Sequence, residues 1–179
     1  MLSFCVFKNK LHLDNGYRKE TITLSSDDVL ADYLQTATPP KAVITLSGPY
    51  PFTKLRILLS TAKGLAAGYD VPCRFIKTFD FLSYVFPDTL IALETRRGDY
   101  FTFHKDFGEQ LLTKEAIQAL SCPVMFDQDF SDGSYNLATK LLEFYPQAKL
   151  TNNPHYFYTP EYRKAVSKSL PSHPQHPHS

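Results

Sequence analysis

Residues 47–57 read Ser47-Gly48-Pro49-Tyr50-Pro51-Phe52-Thr53-Lys54-Leu55-Arg56-Ile57, and residues 61–66 read Thr61-Ala62-Lys63-Gly64-Leu65-Ala66. Before them, Lys41–Ser47 has a continuous apolar centre, which predicts an inner β-strand. Within them, apolar residues recur every three or four positions, which predicts a helix over Thr53–Ala67, capped by Thr53 and stopped by Gly68. The pattern is therefore that of a strand, a Gly/Pro turn and a helix.

Elsewhere in the chain, strand patterns alternate with helix patterns, which predicts an α/β fold with a mixed sheet and flanking helices. The predicted strands are Leu2–Phe7, Leu11–Leu13, Thr21–Leu24, Leu90–Glu94, Tyr100–His104 and Val124–Phe126. The further predicted helices are Val29–Leu34, Phe79–Phe86, Thr113–Leu120 and Tyr135–Phe144. Arg96-Arg97-Gly98-Asp99 is a hairpin turn between two of these strands.

The chain has 179 residues, of which 43% are apolar. This length and composition suit one domain with one core, which we place at residues 1–170. Pro171–Ser179 contains no apolar side chain and cannot bury surface, so a disordered Pro/His tail is expected. The histidines of this tail alternate with prolines and have no acidic neighbours, so no metal site is expected there.

Charge and cysteine use exclude several classes of protein. Nineteen basic and eighteen acidic residues give a net charge of +1, so no strong overall field favours nucleic acid or an anionic membrane. No apolar run approaches the roughly 20 residues of a membrane span, and Met1–Lys10 lacks the order of a signal peptide. Cys5, Cys73 and Cys122 are widely spaced and match neither a disulfide framework nor a zinc site. A cytoplasmic protein with reduced thiols is expected.

Residues 47–57 and 61–66 together resemble the Gly-Pro-Gly-Ser-Phe-Thr-Gly-Leu-Arg-Ile and Ala-Lys-Gly-Leu-Ala signature of the TsaB (YeaZ) family. Two further similarities follow in the family's order, at residues 93–100 and at Pro160-Glu161-Tyr162-Arg163. The residues that match the family's loop are Gly48, Pro49, Phe52, Thr53 and Arg56.

The resemblance implies an actin-like, Hsp70-like ATPase (ribonuclease H-like) fold with subdomains near residues 1–90 and 91–170. It also implies a non-catalytic subunit that binds and activates a TsaD-type catalytic subunit, which transfers threonylcarbamoyl to adenosine 37 of tRNA. A TsaE-type ATPase is a further implied partner. The tRNA is expected to be reached through the complex, and no membrane is involved.

The departures from the family pattern indicate a degenerate nucleotide site. Aligned with the first strand of the wider fold, Leu2–Phe7 has Cys5 at the acidic position; alternatively, that strand is missing and these residues form the second. Tyr50 and Pro51 replace Gly and Ser of the family loop, and Lys54 replaces a second Gly. Glycine allows close backbone approach to phosphate, whereas proline removes an N–H donor. No cofactor is expected to bind this chain.

The resemblance implies that the partner surface lies on two helices. On the longer helix, Thr53–Ala67, the apolar belt is wider than a one-sided helix needs, and small residues allow close approach. Plain core packing is the alternative for the longer helix. The residues assigned to the partner surface are Val29, Tyr33, Leu55, Leu58, Leu59, Ala62, Leu65 and Ala66.

The sequence also allows other functions. A free-standing nucleotide-binding phosphotransferase would keep the fold, although the eroded loop argues against it. A homodimeric structural protein would use the same apolar belt. No G-x-S-x-G elbow and no H-E-x-x-H pattern occurs, which argues against hydrolase chemistry. Arg96, Arg97 and Lys105, near aromatic residues, form a basic cluster that can meet RNA or can simply be a charged hairpin tip.

Overall fold

A computed structural model describes residues 1–7, 10–23, 39–50, 52–95, 97–130 and 134–151. Its strands are β1 (Leu2–Phe7), β2 (Lys10–Asp14), β3 (Lys19–Thr23), β4 (Val43–Leu46), β5 (Cys73–Ile76), β6 (Leu90–Glu94), β7 (Tyr100–His104), β8 (Gly108–Leu112), β9 (Val124–Phe126) and β10 (Leu150–Thr151). Its helices are α1 (Phe52–Gly68), α2 (Thr78–Val85), α3 (Lys114–Gln118) and α4 (Leu137–Phe144), and the 3-10 turn Tyr145–Gln147 follows α4.

The first sheet has the strand order β10-β5-β4-β1-β2-β3. β1 lies at its centre, parallel to β4 and antiparallel to β2. The residues of β4 are all buried, as expected for a strand covered on both faces. Leu2–Phe7 is therefore the first strand of the fold, and the alternative in which that strand is missing is excluded.

The second sheet repeats the plan of the first. Its order is β8-β7-β6-β9, with β6 parallel to β9 and antiparallel to β7. The order β3-β2-β1-β4 in the first sheet has the same pairing directions. Each half of the fold thus contains an antiparallel meander whose first strand pairs in parallel with a later strand.

One apolar core joins the two sheets. Phe79 of α2 stacks on Phe101 and Phe103 of β7, with ring centroids 5.6 and 5.5 Å apart. Ile91 and Leu93 of the second sheet belong to the same buried cluster as the residues of β1 and β4. Helix α2 therefore packs against the second sheet and belongs to the core that both sheets share.

Helix α4 returns from the second half of the chain to the first sheet, where buried polar groups hold it. The Ser3 hydroxyl donates to the Ala138 carbonyl at 2.7 Å, and the Thr139 hydroxyl donates to Asp14 Oδ2 at 2.6 Å. The other oxygen of Asp14 accepts the Gly16 N–H at 2.7 Å. Asp14 is buried, so these donors replace the water that its carboxylate has lost.

The predicted elements agree closely with the structure. The mixed α/β fold, strand β4, helix α1 and the β6–β7 hairpin are confirmed, and α1 begins one residue earlier than predicted. It ends at Gly68, the predicted stop. The left-handed residue after this end is Asp70, with φ 53°, and not the glycine. Helix α4 begins at Leu137, two residues late, because Asn136 has a left-handed φ of 48°. Strands β5, β8 and β10 were not predicted.

Several predictions lie outside the described residues. They are the helix at Val29–Leu34, the Pro160–Arg163 match and the tail Pro171–Ser179. The division into subdomains near residues 1–90 and 91–170 stays a prediction. Of the helices that are described, none has the length and apolar character required to cross a lipid bilayer.

The contact between Thr139 and Asp14 yields a stability prediction. Thr139→Val removes a donor from a buried carboxylate, so the free energy of unfolding should fall by about 1.5–3 kcal/mol. Thr61→Val on α1 is the matched control and should change it by less than about 0.5 kcal/mol. Urea unfolding of the two variants makes the comparison, and equal midpoints would show that α4 does not depend on this contact.

Candidate functional site

The candidate site begins at the turn after β4, which is fixed to the end of β5. The Ser47 N–H donates to the Ile76 carbonyl at 2.8 Å, and the Gly48 carbonyl accepts the Thr78 N–H at 3.0 Å. Gly48 has a φ of 99°, which a residue with a side chain rarely adopts, and it precedes Pro49 through a cis peptide bond. The family-like Gly48 and Pro49 thus form a tight turn at the carboxyl ends of parallel strands, where α/β folds commonly bind ligands.

Tyr50 follows this turn and points into the protein, with only 4% of its surface exposed. Its phenol lies near Cys5 of β1, Thr78 at the start of α2 and Asp127 after β9. Burial raises the pKa of Tyr50 well above its ordinary value of 10.0; the Cys5 thiol adds to the rise, and the nearby Thr78 hydroxyl opposes it. The Tyr50 phenol is therefore neutral throughout the physiological pH range.

The side chains beside the turn after β4 lie where the sequence predicts a degenerate nucleotide site. Cys5, at the position where the wider fold has an acidic residue, is fully buried beside Tyr50. Tyr50 places an aromatic ring at a position where the family has glycine. Among the residues that the structure describes, no three His, Cys, Asp or Glu side chains are grouped closely enough to hold a metal ion.

Helix α1 leaves this turn and packs on the sheet through one broad apolar face. Leu55, Leu58, Ala62 and Ala66 are buried in the main core, and Leu59 and Leu65 are half-buried at its edges. This corrects the sequence-based assignment for the four buried residues, because buried residues are not available to a partner. Leu59 and Leu65 remain predicted partner residues at the edges of the face that covers the sheet.

The opposite face of α1 consists of Ile57, Ser60, Thr61, Gly64 and Gly68, which we term the outer stripe. Ile57 is 63% exposed, although a large apolar side chain is usually buried in a single-chain protein. A Cβ atom added at Gly64 or Gly68 would meet no atom within 4 Å. The outer stripe therefore offers one exposed apolar side chain beside open space above two glycines.

Five other predicted site residues have no described contact that bears on function. Val29 and Tyr33 lie outside the described residues, and Phe52 and Thr53 lie in the first turn of α1 without described side chains. Arg56 is exposed beside the outer stripe. Ile57 was not predicted as a surface residue, although its position out of phase with the other apolar residues of α1 was a usable signal.

The proposed basic cluster near the hairpin is not supported by the described residues. Arg97 precedes β7 and Lys105 follows it, so a five-residue strand of roughly 17 Å separates them. Lys105 pairs with Asp88, and Phe101 is buried in the core. The aromatic residues of β7 thus serve packing.

The Tyr50 environment predicts a specific loss of stability at alkaline pH. Above pH 10 the phenol ionises in the unfolded chain but stays protonated in the folded chain, so unfolding releases a proton and stability falls as pH rises. Tyr50→Phe should remove about 1.4 kcal/mol of the loss of stability between about pH 8 and pH 11. The exposed Tyr17→Phe is the control in urea unfolding at both pH values, and an unchanged pH dependence in Tyr50→Phe would contradict the prediction.

Comparison with solved structures identifies the fold. YeaZ from Pseudomonas aeruginosa matches with a TM-score of 0.57 at 13% sequence identity, covering 82% of this chain and 92% of that chain. An uncharacterized protein with similarity to peptidase YeaZ from Pseudomonas aeruginosa matches with a TM-score of 0.55 at 13% identity, covering 88% and 98%. No protein-family profile and no curated protein sequence matches the chain. The chain therefore has the fold of YeaZ, which is the actin-like ATPase fold.

Proposed function

We propose that this chain is a TsaB-type subunit without a catalytic centre, which docks a TsaD-type catalytic subunit in the cytoplasm. In this role it would hold its partner in the form that transfers threonylcarbamoyl to adenosine 37 of tRNA. The tRNA and any TsaE-type ATPase would meet the chain within the assembly. The observation that carries the proposal is the outer stripe of α1, which directly follows the family-like turn in a chain with the fold of YeaZ.

The geometry of α1 favours helix docking. Helices pack at interaxial distances of about 8–10 Å, and small residues at the contact permit the shorter distances. Gly64 and Gly68 leave open space above α1, and Ile57 projects beside that space. A partner helix can cover Ile57 and lie against the glycines without any rearrangement of the inner face.

The turn and Tyr50 favour a binding role over a catalytic one. Beside the turn after β4, Cys5 of β1 contributes a buried thiol and Tyr50 a buried, neutral phenol. Neither is a hard, charged oxygen ligand of the kind that Mg²⁺ prefers. A free-standing phosphotransferase would need a metal and phosphate site at this position, so it is the weaker proposal.

A second copy of this chain is the competing partner. A homodimer about a two-fold axis would bring two outer stripes together, because the same patch then serves both subunits. Ile57 of each copy would lie over the glycines of the other. The oligomeric state of the isolated chain distinguishes this arrangement from a heterodimer.

The docking proposal is tested by co-expression with the TsaD-type subunit of the same genome and size-exclusion chromatography. Ile57→Glu should abolish co-elution without lowering the melting temperature, because the new charge is solvated in the free chain and buried only in the complex. Tyr17→Glu, at an exposed turn of the first sheet, is the control and should co-elute normally. Co-elution of Ile57→Glu at unchanged affinity would exclude the outer stripe as the docking surface. A stable homodimer that does not bind the TsaD-type subunit would favour a second copy of this chain as the partner.

The non-catalytic role yields a separate prediction for the isolated chain. Mg-ATP should bind weakly or not at all, because Tyr50 and Pro51 replace family residues that leave backbone N–H groups accessible to phosphate. Isothermal calorimetry measures this directly. A dissociation constant in the low micromolar range, about −8 kcal/mol, would reject the proposal in favour of a nucleotide-binding protein.

A further inference from the structure

The turn between β2 and β3 carries Asn15-Gly16, which is the only Asn-Gly pair in the sequence. An asparagine before glycine is chemically labile, because glycine has no side chain to hinder attack by its backbone nitrogen on the asparagine amide. The Gly16 nitrogen loses its proton and bonds to Cγ of Asn15, and the side-chain amide nitrogen leaves as ammonia with that proton. Water then opens the five-membered imide, which leaves aspartate or its β-linked isomer at position 15.

The folded turn holds both reacting groups in hydrogen bonds. The Gly16 N–H, which must lose its proton, donates to Asp14 Oδ1 at 2.7 Å. The side-chain oxygen of Asn15 accepts the N–H groups of Tyr17 at 3.0 Å and of Arg18 at 2.8 Å. The imide ring closes only if the chain rotates at Asn15, and that rotation breaks these bonds. The turn must therefore open before Asn15 can react.

Asp14 connects this turn to α4. Its Oδ2 accepts the Thr139 hydroxyl at 2.6 Å while its Oδ1 holds the Gly16 N–H, so one buried carboxylate joins the labile turn to the first turn of the helix. The Ser3 hydroxyl donates to the Ala138 carbonyl at 2.7 Å and fixes the same helix end on β1. When α4 leaves the sheet, Asp14 loses a donor and is exposed to water, and its hold on Gly16 weakens.

We infer that Asn15 is a latent deamidation site and that the docking of α4 on the first sheet keeps it unreacted. Proteins open locally without unfolding completely, and a slow reaction of the open form then follows the population of that form. Asn15 therefore reacts in chains whose α4 has left β1 and β2. This inference concerns the chain alone and holds whether or not it docks a TsaD-type subunit.

The reacted chain cannot re-form the original turn. A β-linked aspartate adds one carbon to the backbone at residue 15, where a turn of fixed length sets the pairing of Asp14 with Lys19. Either product also places a second carboxylate next to the buried Asp14, and neighbouring like charges repel. A chain that has once opened at α4 thus carries a permanent covalent mark.

The inference is tested by incubating the full chain at mildly alkaline pH and following the mass of the peptide that contains residue 15. Chromatography separates the aspartate product from its β-linked isomer. The folded chain should react at least about tenfold more slowly than the same chain unfolded in urea, because its turn must open first. Asn15→Gln is the blank, since its longer side chain does not form the five-membered ring.

Substitutions at Thr139 test the connection to α4. Thr139→Val removes the donor to Asp14 and should speed the reaction of the folded chain about tenfold, whereas Thr139→Ser keeps a hydroxyl and should leave the reaction slow. Ile117→Ala is the matched control, because Ile117 is buried in the separate apolar cluster at β6; it should lower the melting temperature and leave the rate unchanged. If Thr139→Val does not fold, Ser3→Ala replaces it, with the same expected acceleration.

Three results would overturn the inference. Equal rates in the folded and the urea-unfolded chain would mean that the turn gives no protection. A Thr139→Val or Ser3→Ala chain as slow as the unsubstituted chain would mean that α4 does not control the turn. Equal acceleration in Ile117→Ala would mean that complete unfolding exposes Asn15 and that α4 has no special place. Failure of partner docking would leave all of these rates unaffected.

Discussion

The parallel pairing of β1 with β4 is the constraint on which the other features depend. Leu2, Ser3 and Phe4 pair with Val43, Ile44 and Thr45, and the Thr45 hydroxyl donates to the Phe4 carbonyl at 2.8 Å within this contact. Parallel neighbours end at the same edge of a sheet, so the turn after β4 must lie beside the end of β1. Tyr50 then comes next to Cys5, and α1 must run back across the sheet.

The same constraint operates twice along the chain. The second sheet repeats the meander and the parallel pairing of the first, and Phe79 of the helix between them stacks on two rings of the second sheet. The chain then returns to the first sheet. There α4 packs on β1 and β2, and β10 pairs with β5. Contacts between residues far apart in sequence therefore close the fold, and Asp14 with Thr139 is one of them.

The fold places looser demands on the sequence than a binding site does. The fold of YeaZ persists at 13% sequence identity, because packing requires only apolar residues of suitable volume in the correct pattern. Sites are less tolerant, since a ring at the position of a glycine changes what a turn can bind. The proposed role depends on the outer stripe of α1, where no reactive group is needed. A chain can keep such a surface while the chemistry at the neighbouring turn is lost.

The sequence by itself determined the elements whose pattern is local. Strand β4 has an uninterrupted apolar centre, α1 repeats every three or four residues, and the β6–β7 hairpin has a Gly at its turn, so each could be predicted from its own residues. The family-like signature at residues 47–66 also indicated the fold. Strand β8 was missed because Glu109 and Gln110 interrupt its apolar pattern, and β10 because its two residues are too few to form one.

Only the tertiary structure decided which faces are covered. Leu58 and Ile57 are adjacent apolar residues of one helix, yet the first is buried and the second is exposed. The helical repeat places Ile57 off the stripe that holds Leu58, but only the sheet beneath the helix decides which face of it is covered. Tyr50 is the same case: a tyrosine after a Gly-Pro turn is usually at the surface, and it is buried here in the core that both sheets share.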